Sequence, residues 1–542
     1  TLAYIACELL RVPRPHATVA ALVAVVAALL AAVLHNEDVA DLFDRALDEI
    51  QGGEAWNLQE NRYLLGNFRP TADESAGVAL EVIEGAVPEG LEGLYLRVGP
   101  NPVPSHGFKK RYHVFDGHGH LHSVRFRANA APVYSNQWLQ TPRYLKENEV
   151  GREFFPKVGQ LHGWIGLVRV LTTFGTKMAG LSRLEVGQAN TNMFVDAVGR
   201  LFALHEGSLP FEVAYDDSTH TFAAKGYLRE NGTLDYPVSA HPKRDHRTGE
   251  VFAHGYDPMA SKTMKYAKWI GERLVVYEEL NTNAPTWAHD MMISDTHCIF
   301  IESSIHFTGD VLKGVFFDFV DKPLRLGLLP RNASTTADMQ WFSAGRALAI
   351  VHPMNAWTEE NGDVVLYTPM GEDFDGSLTK GGNVWHLTRV TFHVGTGELT
   401  VEKLNDVLNV EFPRVHPNML GHKTEYGFAG TMEKGDLGFT GIARFHLPTG
   451  RVQTIMYDSD CIGGEPVPIP KPGREDASDA VYLVGFVHNE ASGESEVHLY
   501  DGETMDEKPV VRLRVPKRVP YGFHGEWVPE PTLQMHLNHN NA

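Results

Sequence analysis

The chain contains little cysteine and has a shortage of positive charge. Its three cysteines, Cys7, Cys298 and Cys461, are scattered over 542 residues, so we expect neither a disulfide framework nor a thiolate metal site. Asp and Glu (68) outnumber Lys and Arg (48), for a net charge of -20, which argues against nucleic-acid binding because a phosphate backbone would be repelled. With 43% apolar and 21% charged residues, the composition is globular rather than disordered or fibrous.

Long apolar runs are also scarce. Residues 17–34 form an 18-residue stretch without a charge, at the lower limit for crossing a bilayer, with Arg11 and Arg14 before it. Eight of these residues are alanine, which lowers the hydrophobicity of the stretch. Three interpretations stay open: a membrane-embedded or interfacial helix, a remnant of a targeting segment, or a helix buried in the fold.

Short β-prone runs separated by Gly, Asp, Asn and Pro dominate from about residue 67 onward. This texture predicts an all-β fold. Residues 160–181 are the exception, because their apolar residues recur at helical spacing. We interpret this segment as a helical lid on the core, whose apolar face also fits contact with a membrane surface.

Histidine is abundant, with 27 residues. Four histidines in β-prone segments are 48, 63 and 172 residues apart, the last interval being close to three times 57: His241, His289, His352 and His524. Two carboxylates continue the interval, because Glu411 follows His352 by 59 residues and Glu465 follows Glu411 by 54. In a β-propeller the innermost strand of each blade faces a central axis. One residue per blade can therefore meet at one point.

Several segments, in order, are similar to those of the carotenoid cleavage oxygenase family. The resemblance runs from about Asn67 to Pro529 and includes "LRVGPNP", "FDGHGHLHSVRF", "AHPKRDHRTGE", "EFPRVHPNM", "GGEPVPIP" and "RVPYGFHGEW". The plant-type dioxygenases look most similar, on "GREFFPKVGQLHG" and "RVPYGFHG". The resemblance implies a seven-bladed β-propeller with helical insertions capping one face. The residue patterns predict an N-terminal helical extension over 1–66, before the resemblance begins, and one catalytic domain over 67–542 with a helical lid near 145–182.

The resemblance also implies a metal site with one non-haem Fe(II) per chain. The implied iron ligands are His241, His289, His352 and His524, and neutral imidazole suits Fe(II). The glutamates that match the family's positions for orienting the ligand histidines are Glu206, Glu411 and Glu465. Thr191 matches the position beside an open coordination site, where we expect it to shape oxygen access. His205 should face away from Glu206 if both lie in a strand.

A second histidine cluster competes with the first. His118, His120 and His122 alternate in sequence, so on a strand all three would project from one face and could bind zinc or copper. By the resemblance, this segment belongs to an early blade hairpin in which the family usually has an acidic residue at the place of His118. We therefore expect a structural or exposed triplet rather than a catalytic site.

The function implied by the resemblance is Fe(II)-dependent cleavage of a conjugated double bond in a carotenoid or apocarotenoid, with O2 as co-substrate. The 9,10 (9',10') bond is slightly favoured over the 11,12 bond of epoxycarotenoids. Stilbene cleavage, retinoid isomerisation and a propeller that carries carotenoid without cleaving it also stay open. We expect a membrane surface as partner, no obligate protein partner, and a plastid location if the source is photosynthetic, with the cytoplasm as the second possibility.

Overall fold

The computed structural model describes residues 62–541, except 107–111, 162–165, 167–181, 258–262, 308–316, 377–382, 434–437 and Glu475. The stretch at 17–34, most of the 1–66 extension and nearly all of the 160–181 segment therefore lie outside the described residues. Within the described part of the chain, no helix is both long and apolar enough to cross a membrane.

Four separate antiparallel sheets of four strands follow one another along the chain. Their strands are, in sheet order, β6 (Asn192–Val195), β7 (Leu201–Leu204), β8 (Phe211–Asp216) and β9 (Thr221–Tyr227); β10 (Lys243–Arg244), β11 (Glu250–Tyr256), β12 (Thr263–Ile270) and β13 (Arg273–Asn281); β14 (Met291–Ile293), β15 (His297–Glu302), β18 (Arg325–Pro330) and β19 (Gln340–Ser343); β20 (Asn355–Thr358), β21 (Val364–Met370), β22 (His386–His393) and β23 (Glu398–Lys403). A small hairpin, β16 (Ile305–Phe307) with β17 (Phe317–Phe319), falls between β15 and β18 in sequence.

A ten-stranded sheet comes next and contains two further units. The first unit is β24 (Asn409–Arg414), β25 (Tyr426–Met432), β26 (Phe439–His446) and β27 (Arg451–Met456); the second is β29 (Val467–Pro470), β30 (Val481–Asn489), β31 (Ser495–Asp501), β32 (Val511–Arg514) and β2 (Glu81–Gly85). The bridging strand β28 (Cys461–Gly463) pairs with both β26 and β30. The predicted all-β fold is confirmed, whereas the count of seven blades stays a prediction.

The last sheet joins the two ends of the chain. Its strands, in sheet order, are β1 (Ser75–Ala79), β5 (Val133–Trp138), β4 (His118–Phe126), β3 (Gly93–Asn101) and β33 (Gly525–Pro529). β33 comes from the C-terminal end and pairs antiparallel with β3, with Gly93 opposite Pro529. A ring of sheets is closed in this way by one strand from each end, and closure leaves few exposed strand edges.

Local sequence accounts for the form of individual strands. All seven residues of β21 are buried and its sequence is a nearly continuous apolar run, whereas β23 at the edge of the same sheet alternates polar and apolar residues. This is the contrast expected between a strand buried on both faces and one exposed on one face. The hairpin between β12 and β13 turns at Gly271, whose φ of 60° suits glycine.

Helical structure is minor in the described residues. α1 (Pro142–Val150) begins at Thr141, whose hydroxyl accepts from the Tyr144 N–H, and ends at Gly151 with a φ of 66°. It lies at the start of the predicted lid. α2 (Glu530–Asn541) follows β33. Short 3-10 turns occupy Arg62–Leu64, Gly66–Phe68, Pro104–His106, Val158–Gln160, Arg183–Glu185, Glu230–Gly232, Thr336–Asp338 and Pro417–Met419.

Trp527 in the closing strand offers a test of this closure. The residue is 6% exposed and packs in the core, with its ring 5.9 Å from the ring of Phe126. We expect Trp527→Ala to lower the free energy of unfolding by about 3–5 kcal/mol, the usual cost of emptying a buried aromatic site. Met456→Ala, at a residue 54% exposed on β27, serves as control and should change it by less than about 0.5 kcal/mol. Equal denaturation midpoints for both variants would contradict the closure.

Candidate metal centre

Four histidines from different sheets meet at one point. Each histidine precedes, by one to three residues, the strand at one edge of its sheet. These strands are β10, β14, β20 and β33. Their ligand atoms all lie within 4.8 Å of one another, and the residues are His241, His289, His352 and His524. The Nε2 atom of His289 is 3.0 Å from that of His241 and 2.9 Å from that of His352. All four histidines are buried.

Burial favours the form of these imidazoles that can bind a metal. It lowers the pKa of His241 and of His352 well below the usual range. Neutral imidazole has a free lone pair on one nitrogen, which is the form a metal ion requires. Burial also acts on His289, but the carboxylate of Glu206 raises its pKa above the usual value.

Glu206 contacts the second nitrogen of His289. Its Oε1 pairs with His289 Nδ1, while its Oε2 accepts hydrogen bonds from the Tyr256 hydroxyl and, at 3.0 Å, from the indole N–H of Trp287. Burial raises the pKa of Glu206, but His289, Tyr256 and Trp287 together lower it to about 2. An ionised carboxylate at Nδ1 fixes the tautomer and leaves Nε2 free to bind a metal.

Glu411 reaches His352 from an irregular strand. The register of β24 against β25 shifts between Glu411 and Arg414, and Phe412 has a φ of 52°, a left-handed conformation that is rare for a bulky residue. Such bulges redirect side chains next to functional sites. Here Glu411 Oε2 lies 2.7 Å from His352 Nδ1 and accepts from the Phe412 N–H at 2.7 Å. Burial raises the pKa of Glu411 to about 8.

Glu465 completes the set of glutamates. Its Oε1 is 3.0 Å from His524 Nδ1, and the Arg414 guanidinium donates to both carboxylate oxygens at 3.0 Å. Burial raises the pKa of Glu465, but Arg414 and His524 lower it to about 2. The three predicted glutamates therefore each contact a different predicted histidine.

The charges around the cluster fit a divalent cation. Three carboxylates stand against the single guanidinium of Arg414 among the contacts just described, so two negative charges are unbalanced when all three are ionised. Glu411 Oε1 is buried and accepts no hydrogen bond from any described residue. A cation on four neutral imidazoles would balance this charge and favour the ionised form of Glu411. The residues present thus fit a bound metal ion.

Two cavities adjoin the cluster from different sides. The larger has a volume of about 360 Å³ and reaches His289, His352 and His524. Aromatic side chains line much of it, including Phe115, Trp287, Phe317, Phe374, Phe412 and Phe523. The smaller, of about 110 Å³, reaches His241, His352 and His524 and has charged side chains in its wall. A concave apolar site with few polar groups is typical of small-molecule binding.

Comparisons with known proteins identify the family. The model of the retinal pigment epithelial membrane protein (RPE65) family matches residues 68–529. A carotenoid 9,10(9',10')-cleavage dioxygenase 1 of Phaseolus vulgaris is 33% identical over 508 residues, covering 88% of this chain and 90% of the relative. The chain belongs to the carotenoid cleavage oxygenase family.

Further members of the carotenoid cleavage oxygenase family are also similar. A chloroplastic 9-cis-epoxycarotenoid dioxygenase, NCED1 of Oryza sativa subsp. japonica, is 32% identical and covers 87% of this chain and 76% of the relative. A crystal structure of Pseudomonas brassicacearum lignostilbene dioxygenase superposes with a TM-score of 0.74 at 22% identity, covering 87% of this chain and 99% of that one. Cobalt-substituted Synechocystis apocarotenoid oxygenase superposes with a TM-score of 0.70 at 22% identity, covering 85% and 97%. These structural likenesses show the shared propeller fold.

Thr191 and His205 both line the larger cavity. Thr191 donates from its hydroxyl to Asn190 Oδ1 at 3.1 Å, and its role in oxygen access stays a prediction. An opposite orientation of His205 and Glu206 is expected only within a strand, and this condition is not met, because β7 ends at Leu204 and both residues lie beyond it. The Nδ1 of His205 accepts from the Gly207 N–H at 3.2 Å, and the ring is not part of the four-histidine cluster.

The histidine triplet lies on β4 and is buried rather than exposed. His118 Nε2 is 2.7 Å from Glu147, His120 Nε2 is 3.1 Å from the amide nitrogen of Asn136, and His122 Nδ1 is 2.7 Å from the Tyr134 hydroxyl. The three residues thus have separate protein partners and do not form one metal site.

His118 is close to a different pair of possible ligands, His106 and Glu147. Glu147 already accepts from the backbone N–H groups of Phe154 and Phe155. Its carboxylate is also 3.7 Å from the Lys157 ammonium and 3.8 Å from the Arg143 guanidinium. Positive side chains around the carboxylate oppose binding of a further cation.

Sequence reasoning misses several residues of the centre. Arg414 holds Glu465, and Tyr256 and Trp287 hold Glu206. Phe412 stands with its ring 4.4 Å from that of His524. A signal for Arg414 exists, because "EFPR" belongs to a segment that resembles the family, but nothing in a single sequence pairs Tyr256 or Trp287 with Glu206.

Removing charge from an orienting glutamate should weaken metal binding. We expect Glu465→Gln or Glu411→Gln to lower metal affinity by about 10- to 100-fold, because an amide is a weaker acceptor for the imidazole N–H. Equilibrium dialysis against a chelator measures this affinity. Glu496→Gln is the matched control, because Glu496 pairs with His498 at 2.8 Å on β31, and neither residue belongs to the four-histidine cluster. If both site variants bind metal like the control, these glutamates do not orient the histidines.

Proposed function

We propose that the protein is an Fe(II)-dependent dioxygenase that cleaves a conjugated carbon-carbon double bond of a carotenoid or apocarotenoid with O2, giving two aldehyde or ketone products. His241, His289, His352 and His524 hold the iron, one per chain. Glu206, Glu411 and Glu465 orient three of these histidines, and Thr191 shapes oxygen access.

The main support for the proposal is that the histidine cluster borders a cavity lined by aromatic side chains. Three of the four histidines lie in the cavity wall, so a long apolar molecule in the cavity would pass beside the metal. Imidazole is a ligand that suits iron, and cobalt occupies the relative from Synechocystis. Relatives named as carotenoid cleavage dioxygenases share a third of their residues with this chain.

Bound iron would supply the redox chemistry that activates O2. The protein's own contribution is placement and exclusion of water. Trp287 and Phe317 stack in the cavity wall with ring centroids 4.6 Å apart, and Phe374 lies 5.7 Å from Phe317. Such flat aromatic walls fit a planar polyene and keep the site dry. Which double bond is cleaved then depends on how far the polyene slides past His289 and His352.

Cleavage at the 9,10 (9',10') bond is slightly favoured. Relatives named for 9,10 cleavage support it, and the relative named for 9-cis-epoxycarotenoids supports 11,12 cleavage as the second candidate. The similarity to lignostilbene dioxygenase makes stilbene a third candidate. Retinoid isomerisation and carriage of carotenoid without cleavage rank below these. A protein that only carries carotenoid does not need three glutamates that contact buried histidines.

Delivery of an apolar substrate favours a membrane surface as partner, through the apolar face of 160–181 and the stretch at 17–34. We infer no nucleic-acid partner and no obligate protein partner. The relatives named chloroplastic support a plastid location for a photosynthetic source, and the cytoplasm is the second candidate.

Metal analysis tests the iron assignment. The purified protein should contain about one iron per chain, and His289→Ala should remove both iron and activity because it deletes one of four imidazole ligands. Elemental analysis gives the iron content. His498→Ala, at a buried histidine on β31 that is not part of the four-histidine cluster, should keep the iron. Stoichiometric zinc without iron-dependent activity would overturn the assignment.

Product analysis tests the substrate class. We expect incubation with β-carotene, apocarotenals, epoxycarotenoids and a hydroxystilbene to give carbonyl fragments from a polyene, with 9,10 products most abundant. Mass spectrometry identifies the fragments, and isotopically labelled O2 should place label in both. Turnover restricted to the stilbene would replace carotenoid by stilbene as substrate, and label in a single fragment would contradict the dioxygenase assignment.

A further inference from the structure

His241 differs from the other three histidines of the cluster. His289, His352 and His524 each have a glutamate oxygen at Nδ1. None of these three glutamates contacts His241. Its Nδ1 instead faces the carboxylate of Asp290, with 3.8 Å between Nδ1 and Oδ2.

Asp290 is held firmly in this position. It directly follows His289, and its Oδ1 accepts from the Met291 N–H at 2.6 Å, where β14 begins. The Lys243 ammonium lies 2.7 Å from Oδ1 and 3.0 Å from Oδ2. The side chain of Asp290 is 2% exposed and that of Lys243 is 12% exposed. The ion pair is thus largely removed from solvent.

We propose that Asp290, anchored by Lys243, is the fourth orienting carboxylate of the centre and positions His241. This inference rests on the proposed function, because it takes the four histidines as metal ligands. Asp290 is a positioning residue that acts through the imidazole of His241.

The physical basis is the electrostatic preference of a carboxylate for a facing N–H. A negative charge 3.8 Å from Nδ1 favours the tautomer with the proton on Nδ1, which leaves the lone pair of Nε2 for the metal. The separation exceeds the roughly 2.7–3.2 Å of an ordinary hydrogen bond, so the hold on His241 is weaker than that of Glu411 on His352. Because Lys243 neutralises Asp290, the pair adds no net charge to the centre.

The smaller cavity is consistent with a looser hold. His241, Lys243 and Asp290 lie in its wall together with His352 and His524, and His241 is the one of the four histidines that does not also line the larger cavity. His241 therefore borders a polar space, while the glutamate partners of the other histidines are held by Trp287, Phe412 and Arg414. We expect His241 to be the ligand whose orientation depends most on a long-range contact.

Cobalt(II) binding tests the proposal without using activity. Asp290→Asn should lower the affinity for added Co²⁺ by about 3- to 10-fold, less than the loss of about 10- to 100-fold typical of directly bonded partners. In the paramagnetic proton NMR spectrum of the cobalt form, the exchangeable Nδ1 proton of His241 should exchange faster with water. The Nδ1 protons of the other ligand histidines should keep their exchange rates.

A double variant that removes both charges distinguishes an effect on the orientation of His241 from an effect on the stability of the protein. Asp290→Asn leaves Lys243 buried without a partner, and this alone can destabilise the fold. The double variant Asp290→Asn with Lys243→Met removes the whole pair. If Asp290 positions His241, the double variant regains thermal stability but keeps the low Co²⁺ affinity and the fast exchange. If the pair is merely structural, affinity and exchange return to those of the unmodified protein.

The control is Asp501→Asn, which removes the charge of the Lys471–Asp501 pair, 2.7 Å apart and lining neither cavity, and should leave both readouts unchanged. Normal Co²⁺ affinity and slow exchange of the His241 proton in Asp290→Asn would overturn the inference while the metal site stands. Failure of the unmodified protein to bind Co²⁺ at about one per chain would instead overturn the proposed function, and the inference with it.

Discussion

The four-histidine cluster requires each imidazole to direct one ring nitrogen toward the shared centre, while another residue contacts the second ring nitrogen and fixes the ring. An imidazole rotates easily about its side-chain bonds, so four of them share a point only if each is oriented by a second contact. The glutamates supply three of these contacts. The requirement explains why carboxylates are buried near the axis of a propeller, where burial alone opposes their charge.

The three glutamates meet this requirement in chemically different ways. Glu206 is held by neutral donors from Tyr256 and Trp287, Glu411 by a backbone N–H, and Glu465 by the guanidinium of Arg414. The basicity of the carboxylates differs accordingly, because the pKa of Glu411 is raised to about 8, whereas those of Glu206 and Glu465 are lowered to about 2. The electron-donating strength of the imidazoles therefore differs around the centre, although the ligands are of one chemical type.

Much of the fold and most of the centre can be predicted from the sequence. Turn dipeptides and short apolar runs mark the strands, and the resemblance to the family implies the four histidines and three glutamates, with the histidine intervals as support. Local irregularities escape such reasoning. The condition set for His205, a strand that also includes Glu206, is not met because β7 ends at Leu204. The left-handed Phe412 gives no sequence signal, since glycine rather than phenylalanine marks that conformation. Asp290 acts on His241 from a distant segment, a pairing that periodicity does not encode.

The closing strand makes the four-histidine cluster depend on the last of its histidines to be synthesised. His524 directly precedes β33, which pairs with β3 near the start of the described chain. A ribosome therefore synthesises His524 after the other three histidines and after every described strand except β33. The three earlier histidines form an incomplete set until then, and the nascent chain cannot assemble the full cluster ahead of ring closure. The four-histidine cluster is thereby complete only once the strand that closes the ring has been synthesised and paired.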